Sequence, residues 1–270
     1  MTADTLANRI AALPLGRLMT PARRRWLVKL LGRQTRRFGY VLAPLPPPGT
    51  GSTSWEIWSW VRSTTSVRTV IDIGANDGEY AAYLGEFYRP AAIHAFEPLA
   101  SCQPKLAGLK ERLPQLTVHQ LALSDTDGEA TFFSNEYAPA SSLLPVSDLS
   151  RRVFPETERA AKSTVRLARL DDILPPETLE RDILVKIDVQ GVEDRVIRGG
   201  RGVFSAAKVV LVEMAFVAVY ERQPLFEEVH ALLQACGLRL AGFKNQIDDV
   251  QTGQPLFAHC LYRRPDDHLA

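Results

Sequence analysis

The chain has 270 residues, 46% apolar and 23% charged, with a formal net charge of +1; this fits a globular protein with a filled core, and no nucleic-acid partner is expected. Three widely spaced cysteines, Cys102, Cys236 and Cys260, argue against a disulfide framework and for a reducing compartment. No apolar run approaches the roughly 20 residues that span a bilayer, and the N-terminus lacks the basic-then-apolar order of a secretory signal, so a cytoplasmic location is expected.

Residues 1–40 carry nine basic side chains against Asp4 alone, a local charge of +8 that leaves −7 for the remainder. Leu15, Leu18, Trp26, Leu27, Leu30, Leu31 and Phe38 recur among them at near-helical spacing. A basic amphipathic helix over 15–38 suits either peripheral contact with an anionic membrane face or an acidic partner; a solvated helix docked on its own domain is the competing reading. The run APLPPPGTGST, Ala43–Thr53, reads as a linker and divides a helical extension, 1–53, from a main domain, 54–270. Trp55, Trp58 and Trp60 fall on a short helix beyond it, expected to pack over a sheet, though it also offers a contact surface between copies. Oligomeric state is left open.

From Val67 the pattern alternates. Strands are predicted at 67–73, 91–96, 116–122, 183–189 and 208–214, and helices at 79–89, 101–112, 191–204 and 224–236. Such alternation predicts an α/β fold, a doubly wound and mostly parallel sheet covered on both faces. The segment Gly128–Leu174 breaks the alternation with short strand-like pieces around a polar stretch, as a lid or substrate-binding insert does. LRLAGF, a polar turn from Lys244 to Gln254, and LFAHCLYRR then read as an antiparallel hairpin closing the sheet.

The densest chemistry lies in VIDIGANDGEY, Val70–Tyr80. Val70, Ile71 and Ile73 end a buried strand, and Gly74 and Gly78 allow a tight turn and close approach to a ligand. Nineteen residues after Gly78, the apolar run AAIHAF stops at Glu97, placed as the acid that holds an adenosine ribose. A dinucleotide fingerprint needs glycine where this chain has Asn76, whose side chain would obstruct a pyrophosphate. S-adenosylmethionine lacks a diphosphate, and the acid Asp72 suits its cationic end. A nicotinamide-dependent oxidoreductase is therefore disfavoured.

DIGANDG, FEP at Phe96–Pro98, ALSD at Ala122–Asp125, LDDIL at Leu170–Leu174, KIDVQG at Lys186–Gly191 and VEM at Val212–Met214 follow in that order. Together, over Val67 to Phe243, they resemble the FkbM family of S-adenosylmethionine-dependent O-methyltransferases. The resemblance implies a class I methyltransferase sheet of seven strands, S-adenosylmethionine as cofactor, and a hydroxyl acceptor on a sugar, glycolipid or polyketide-like product. It implies that Asp72, Gly74, Asn76 and Gly78 line the methionine end, that Glu97 binds both ribose hydroxyls, and that Ser124 and Asp125 face the adenine. The preferred acceptor is a saccharide hydroxyl of a surface glycan or glycolipid; a secondary metabolite, or a non-catalytic nucleoside-binding module recruiting a partner, are the alternatives.

In LVKIDVQG, Leu184, Lys186 and Asp188 share one face of a strand. A buried ammonium at Lys186 needs a carboxylate, Asp72 first and Glu213 second. Asp188, at the carboxyl end of that strand, is the candidate catalytic residue that orients the acceptor hydroxyl and takes its proton late. The family often has Glu where this chain has Gln190, which weakens any mechanism needing two carboxylates there. No metal is expected, with ligation by Asp188 and Glu213 the lesser reading. Among the histidines only His259 merits testing as a base.

Overall fold

The computed structural model describes Val61 and residues 65–265. The basic helix, the Pro-rich boundary, the three-tryptophan segment and His268 lie outside the described residues. Seven strands, β1 (Thr69–Ile73), β2 (Ala92–Phe96), β3 (Leu116–His119), β7 (Ile183–Ile187), β8 (Val209–Ala215), β9 (Arg239–Asp248) and β10 (Pro255–Arg263), form one sheet in the order β3-β2-β1-β7-β8-β10-β9. All neighbours pair in parallel except β10, which is antiparallel to both β8 and β9. The expected doubly wound sheet with a terminal antiparallel hairpin is the one observed.

Strand pleating sends alternate residues to opposite faces, so the β-branched runs feed two cores. Val70, Leu184 and Val209 pack with Ala81 and Leu84 of α1 (Glu79–Tyr88) and Leu106 and Leu109 of α2 (Gln103–Arg112). Ile71, Ile73, Val185, Ile187 and Val210 pack on the other face with Val196 of α5 (Glu193–Gly199), Phe204 of α6 (Arg201–Ala206) and Leu233 of α7 (Phe226–Ala235). Register places Asp72 directly beside Lys186 on the α1 face.

Four expectations need correcting. The strand predicted at 116–122 ends at His119; Ala122–Leu123 is a separate β4 that leaves the main sheet to pair in parallel with β6 (Ala160–Ala168). The insert is thus more ordered than strand-like pieces: β5 (Gly128–Asn135) pairs antiparallel with β6 over its whole length, and a second sheet β4-β6-β5 results. The span between its hairpin strands includes α3 (Asp148–Val153), whose first turn is capped by Ser147 Oγ accepting from Ser150 N at 3.2 Å. The helix predicted at 191–204 is two helices. Asp171, which follows the first residue of α4 (Leu170–Ile173), accepts from Gly202 N and Val203 N at 2.7 and 2.9 Å and so caps α6 as a separate start. Finally, β9 runs on to Asp248 with irregular pairing to β10, through residues predicted as turn.

Candidate active site

A cavity of about 530 Å³ opens at the carboxyl ends of β1, β2, β7 and β8, where ligands of open α/β sheets bind. Of the eight residues picked out by sequence, Gly74, Asn76, Glu97 and Asp188 are in its wall. Asp72, Gly78, Ser124 and Asp125 are not.

Of the four outside, Asp72, Gly78 and Ser124 have other work. Asp72 is fully buried, and its Oδ1 lies 3.4 Å from Lys186 Nζ. It is the counter-ion of that lysine rather than a contact for a ligand. Burial pushes its carboxyl up, with Lys186 opposing. Lys186 itself is held protonated, burial being outweighed by Asp72 and Asp188. The second partner predicted for Lys186 was Glu213; the structure puts Asp188 Oδ2 there instead, at 3.6 Å, and Nζ also donates to Gly74 O at 2.8 Å. Gly78 precedes α1 with φ +83, and a Cβ there would meet the side chains of Leu109 and Leu106 at 2.7 and 2.9 Å. Its glycine serves helix packing. The Ser124 carbonyl faces Gly199 on α5, so the wall beside Phe96 is made by Leu121, Ala122 and Leu123, apolar surface suited to a flat base.

The half of the cavity suited to a nucleoside is built on Glu97. Its Oε2 accepts from Asn76 N at 2.8 Å and its Oε1 from Leu99 N at 2.9 Å, which leaves each oxygen a lone pair for a hydroxyl donor. Burial raises this carboxyl while the two backbone N–H bonds lower it. Asn76 adopts φ +48, a left-handed conformation Asn tolerates, and its Oδ1 accepts from Cys102 Sγ at 3.2 Å. The side chain is turned towards Cys102.

The other half is polar at its floor and apolar at its sides. Gln190, at φ +60 just past β7, donates from Nε2 to Asp188 Oδ1 and, at 2.9 Å, to Glu213 Oε2. Tyr220 OH lies 2.8 Å from Gln190 Oε1 and 3.1 Å from Ala140 O. Burial, reinforced by Asp188 and Glu193, pushes Glu213 well up, and burial pushes Glu193 to about 7. His259 is lowered to about 4 by burial, leaving a neutral imidazole stacked 6.4 Å from Tyr80. The Tyr80 ring lies under two ammonium groups, Lys186 at 5.1 Å and Lys244 at 5.7 Å. The sides come from the insert and the hairpin: Tyr137, Leu143, Phe154, Ile247 and Phe257. Sequence reasoning pointed to both segments but missed Tyr220 and Lys244, which sit in no recognisable motif, and Tyr80, which closes the Val70–Tyr80 run but was given no role.

Residues 72–240 match the methyltransferase FkbM domain family. The chain belongs to that family. It is 30% identical over 223 residues to the methyltransferase sdnD of Sordaria araneosa, covering 73% of this chain and 82% of that one. It is 34% identical over 158 residues to the AMB antimetabolite synthetase AmbE of Pseudomonas aeruginosa, spanning 48% of this chain but 7% of that protein. The 2-O-methyltransferase NoeI of Sinorhizobium fredii is 26% identical over 162 residues, 57% of this chain and 66% of NoeI. This FkbM-family chain is a methyltransferase with S-adenosylmethionine as its cofactor, and the cavity fits that molecule: Glu97 has free lone pairs for a ribose, and apolar walls stand beside Phe96 for a base. No helix of the described residues is long and apolar enough to cross a membrane.

Proposed function

We propose that this methyltransferase acts on a hydroxyl oxygen, on a saccharide carried by a glycan or glycolipid. The observation that carries this reading is Asp188. Its carboxylate stands at the end of β7 in the same cavity as Gly74 and Glu97, with one oxygen facing Lys186 and the other held by Gln190. A carboxylate fixed on both sides is pre-organised to accept a hydrogen bond from an incoming hydroxyl, and fixing that geometry is where most of the rate advantage of a transfer step arises. S-adenosylmethionine, when bound, supplies a methyl group on a sulfonium. Glu97 would hold the ribose and the Gly74–Asn76 turn the methionine end, and Asp188 orients the acceptor oxygen and takes its proton as the oxygen is alkylated. Leu121–Leu123 and the Tyr137 and Phe154 side of the insert exclude water.

The division of the cavity supports a two-part acceptor. Hydrogen-bonding groups gather at the floor, while Phe154, Phe257, Ile247 and Tyr137 offer apolar surface towards the rim. A sugar hydroxyl at the floor and a lipid or aglycone along the rim would use both, and the similarity to NoeI, a 2-O-methyltransferase, agrees with oxygen as the atom methylated. The test is transfer of a labelled methyl group from the cofactor to a panel of free sugars, glycolipids and hydroxylated metabolites. The label is expected in products that gain one CH2 and resist mild alkali, as ethers do. Label in nitrogen, or in alkali-labile esters, would overturn the assignment. Basic residues 15–38 would hold the enzyme near a lipid-linked substrate, and liposome flotation showing no dependence on anionic lipid would dispose of that contact.

A further inference from the structure

We propose that the floor of the cavity is a divalent-cation site, with Asp188, Glu213 and His259 as ligands and the Gln190 side-chain oxygen as the fourth. One ligand atom from each of the first three lies within 4.8 Å of the others, and all four residues line the cavity. Adjacent ligands on a cation with bonds of about 2.1 Å stand about 3 Å apart, so small side-chain rotations close the set.

The hydrogen bonding at this floor points to a missing ligand at His259 and allows Gln190 to turn an oxygen towards it. Both ring nitrogens of His259 are closed off from solvent and neither has a hydrogen-bond partner. A buried imidazole ordinarily satisfies at least one. The orientation of Gln190 is set by Tyr220, whose single hydroxyl proton has two acceptors in reach, Gln190 Oε1 at 2.8 Å and Ala140 O at 3.1 Å. It can serve one of them well. Turning the Gln190 amide through half a rotation resolves this: the amide nitrogen donates to the Tyr220 oxygen and Tyr220 donates to Ala140. The amide oxygen then faces Asp188 Oδ1 and Glu213 Oε2, where the amide nitrogen now bridges the two carboxylates. Three inward oxygens would then surround one point, a donor set that a cation there would hold together.

Lys186 does not supply that charge. Its ammonium lies against Asp72 and the Oδ2 side of Asp188, leaving Oδ1 directed at Gln190. Two carboxylates, an amide oxygen and one imidazole, with no thiolate, suit Mn²⁺ best among common divalent ions, with Mg²⁺ next. Such an ion would polarise an acceptor hydroxyl beside Asp188. That consequence rests on the reading of this end as the acceptor site; the binding itself does not.

Mn²⁺ titrated into the metal-free full chain, without acceptor, is followed by loss of the free-ion paramagnetic signal, with melting curves reporting the fold. One site per chain is expected, weakened at least tenfold by Glu213→Gln and by His259→Gln. Gln190→Glu, which adds a carboxylate, should tighten it at least tenfold, and Mn²⁺ should raise that variant's melting temperature more than the parent's. If Glu213→Gln does not fold, His259→Gln decides alone. Absence of saturable binding at millimolar Mn²⁺, or binding indifferent to His259→Gln, overturns the site. Binding as expected, with methyl transfer indifferent to the ion, supports the site and removes only its catalytic consequence.

Discussion

Replacing Lys186 by Met isolates the interaction on which the floor of the cavity stands. The ammonium is 3% exposed and Asp72 is 0% exposed, so water cannot take over from either. The substitution removes the ion pair at 3.4 Å, the second at 3.6 Å to Asp188, and the donation to Gly74 O at 2.8 Å. Asp72 is then a buried carboxylate whose two oxygens accept no hydrogen bond. Removing one partner of such a pair costs about 3–5 kcal/mol, because the survivor keeps its desolvation penalty. For a domain of this size each kcal/mol lowers the melting temperature by about 2–4 °C, so a fall of about 6–20 °C is expected. Denaturant and thermal unfolding at neutral pH measure it. The matched control is Lys186→Met with Asp72→Leu, which removes both charges and should recover most of the loss. A single variant within about 1 kcal/mol of the parent, or a double variant no better than the single, would refute the reasoning.

Glu97→Gln keeps the shape but removes the charge from the ribose contacts, and should weaken binding of the demethylated cofactor about tenfold or more in calorimetry with the melting temperature little changed. Asp188→Asn should lower kcat at least tenfold while cofactor affinity changes less than threefold; equal losses in both would make Asp188 a binding residue instead. His119 stacks 4.4 Å from Phe96, and its ring Nε2 faces His94 Nδ1 at 3.3 Å. Burial, then His94, lowers it from 6.5 to about 4. A folded-state value below the unfolded one gives stability that is present above pH 6.5 and is lost as the pH falls towards 4, about 1–3 kcal/mol in all. His119→Gln should flatten that stretch of the stability–pH curve, and an unchanged slope would exclude the pair as its origin. Gly74→Ala should fail to give a stable fold, since Gly74 sits at φ +74 and an added Cβ would stand 1.9 Å from the Asp188 carbonyl.

The sheet was legible because burial on two faces forces runs such as VIDI and ILVKI, which periodicity detects without knowledge of neighbours. The pairing of Lys186 with Asp72 was legible for the same reason: strand parity puts both on one face, and a buried ammonium needs an anion. The exchange of Glu213 for Asp188 as its second partner was not. That outcome depends on the backbone beyond Ile187, where Gln190 turns into the left-handed region and brings its amide between the two acids. The cofactor half sits at strand ends, where consecutive residues make the site. The acceptor half draws on β5–β6, the Tyr220 loop and the β9–β10 hairpin, and side chains brought together from distant segments leave no local spacing to read.

The glycines of the Val70–Tyr80 run show how a motif can point to the right place for the wrong cause. A glycine after strand one was read as room for a ligand. At Gly74 the intruding atom would be the Asp188 backbone carbonyl, and at Gly78 the leucines of α2. Both glycines are required before any ligand arrives. Close packing of β1 against the end of β7 is what brings Asp188 to the edge of the same cavity as Glu97. A fingerprint of this kind therefore selects for the juxtaposition of two strand ends.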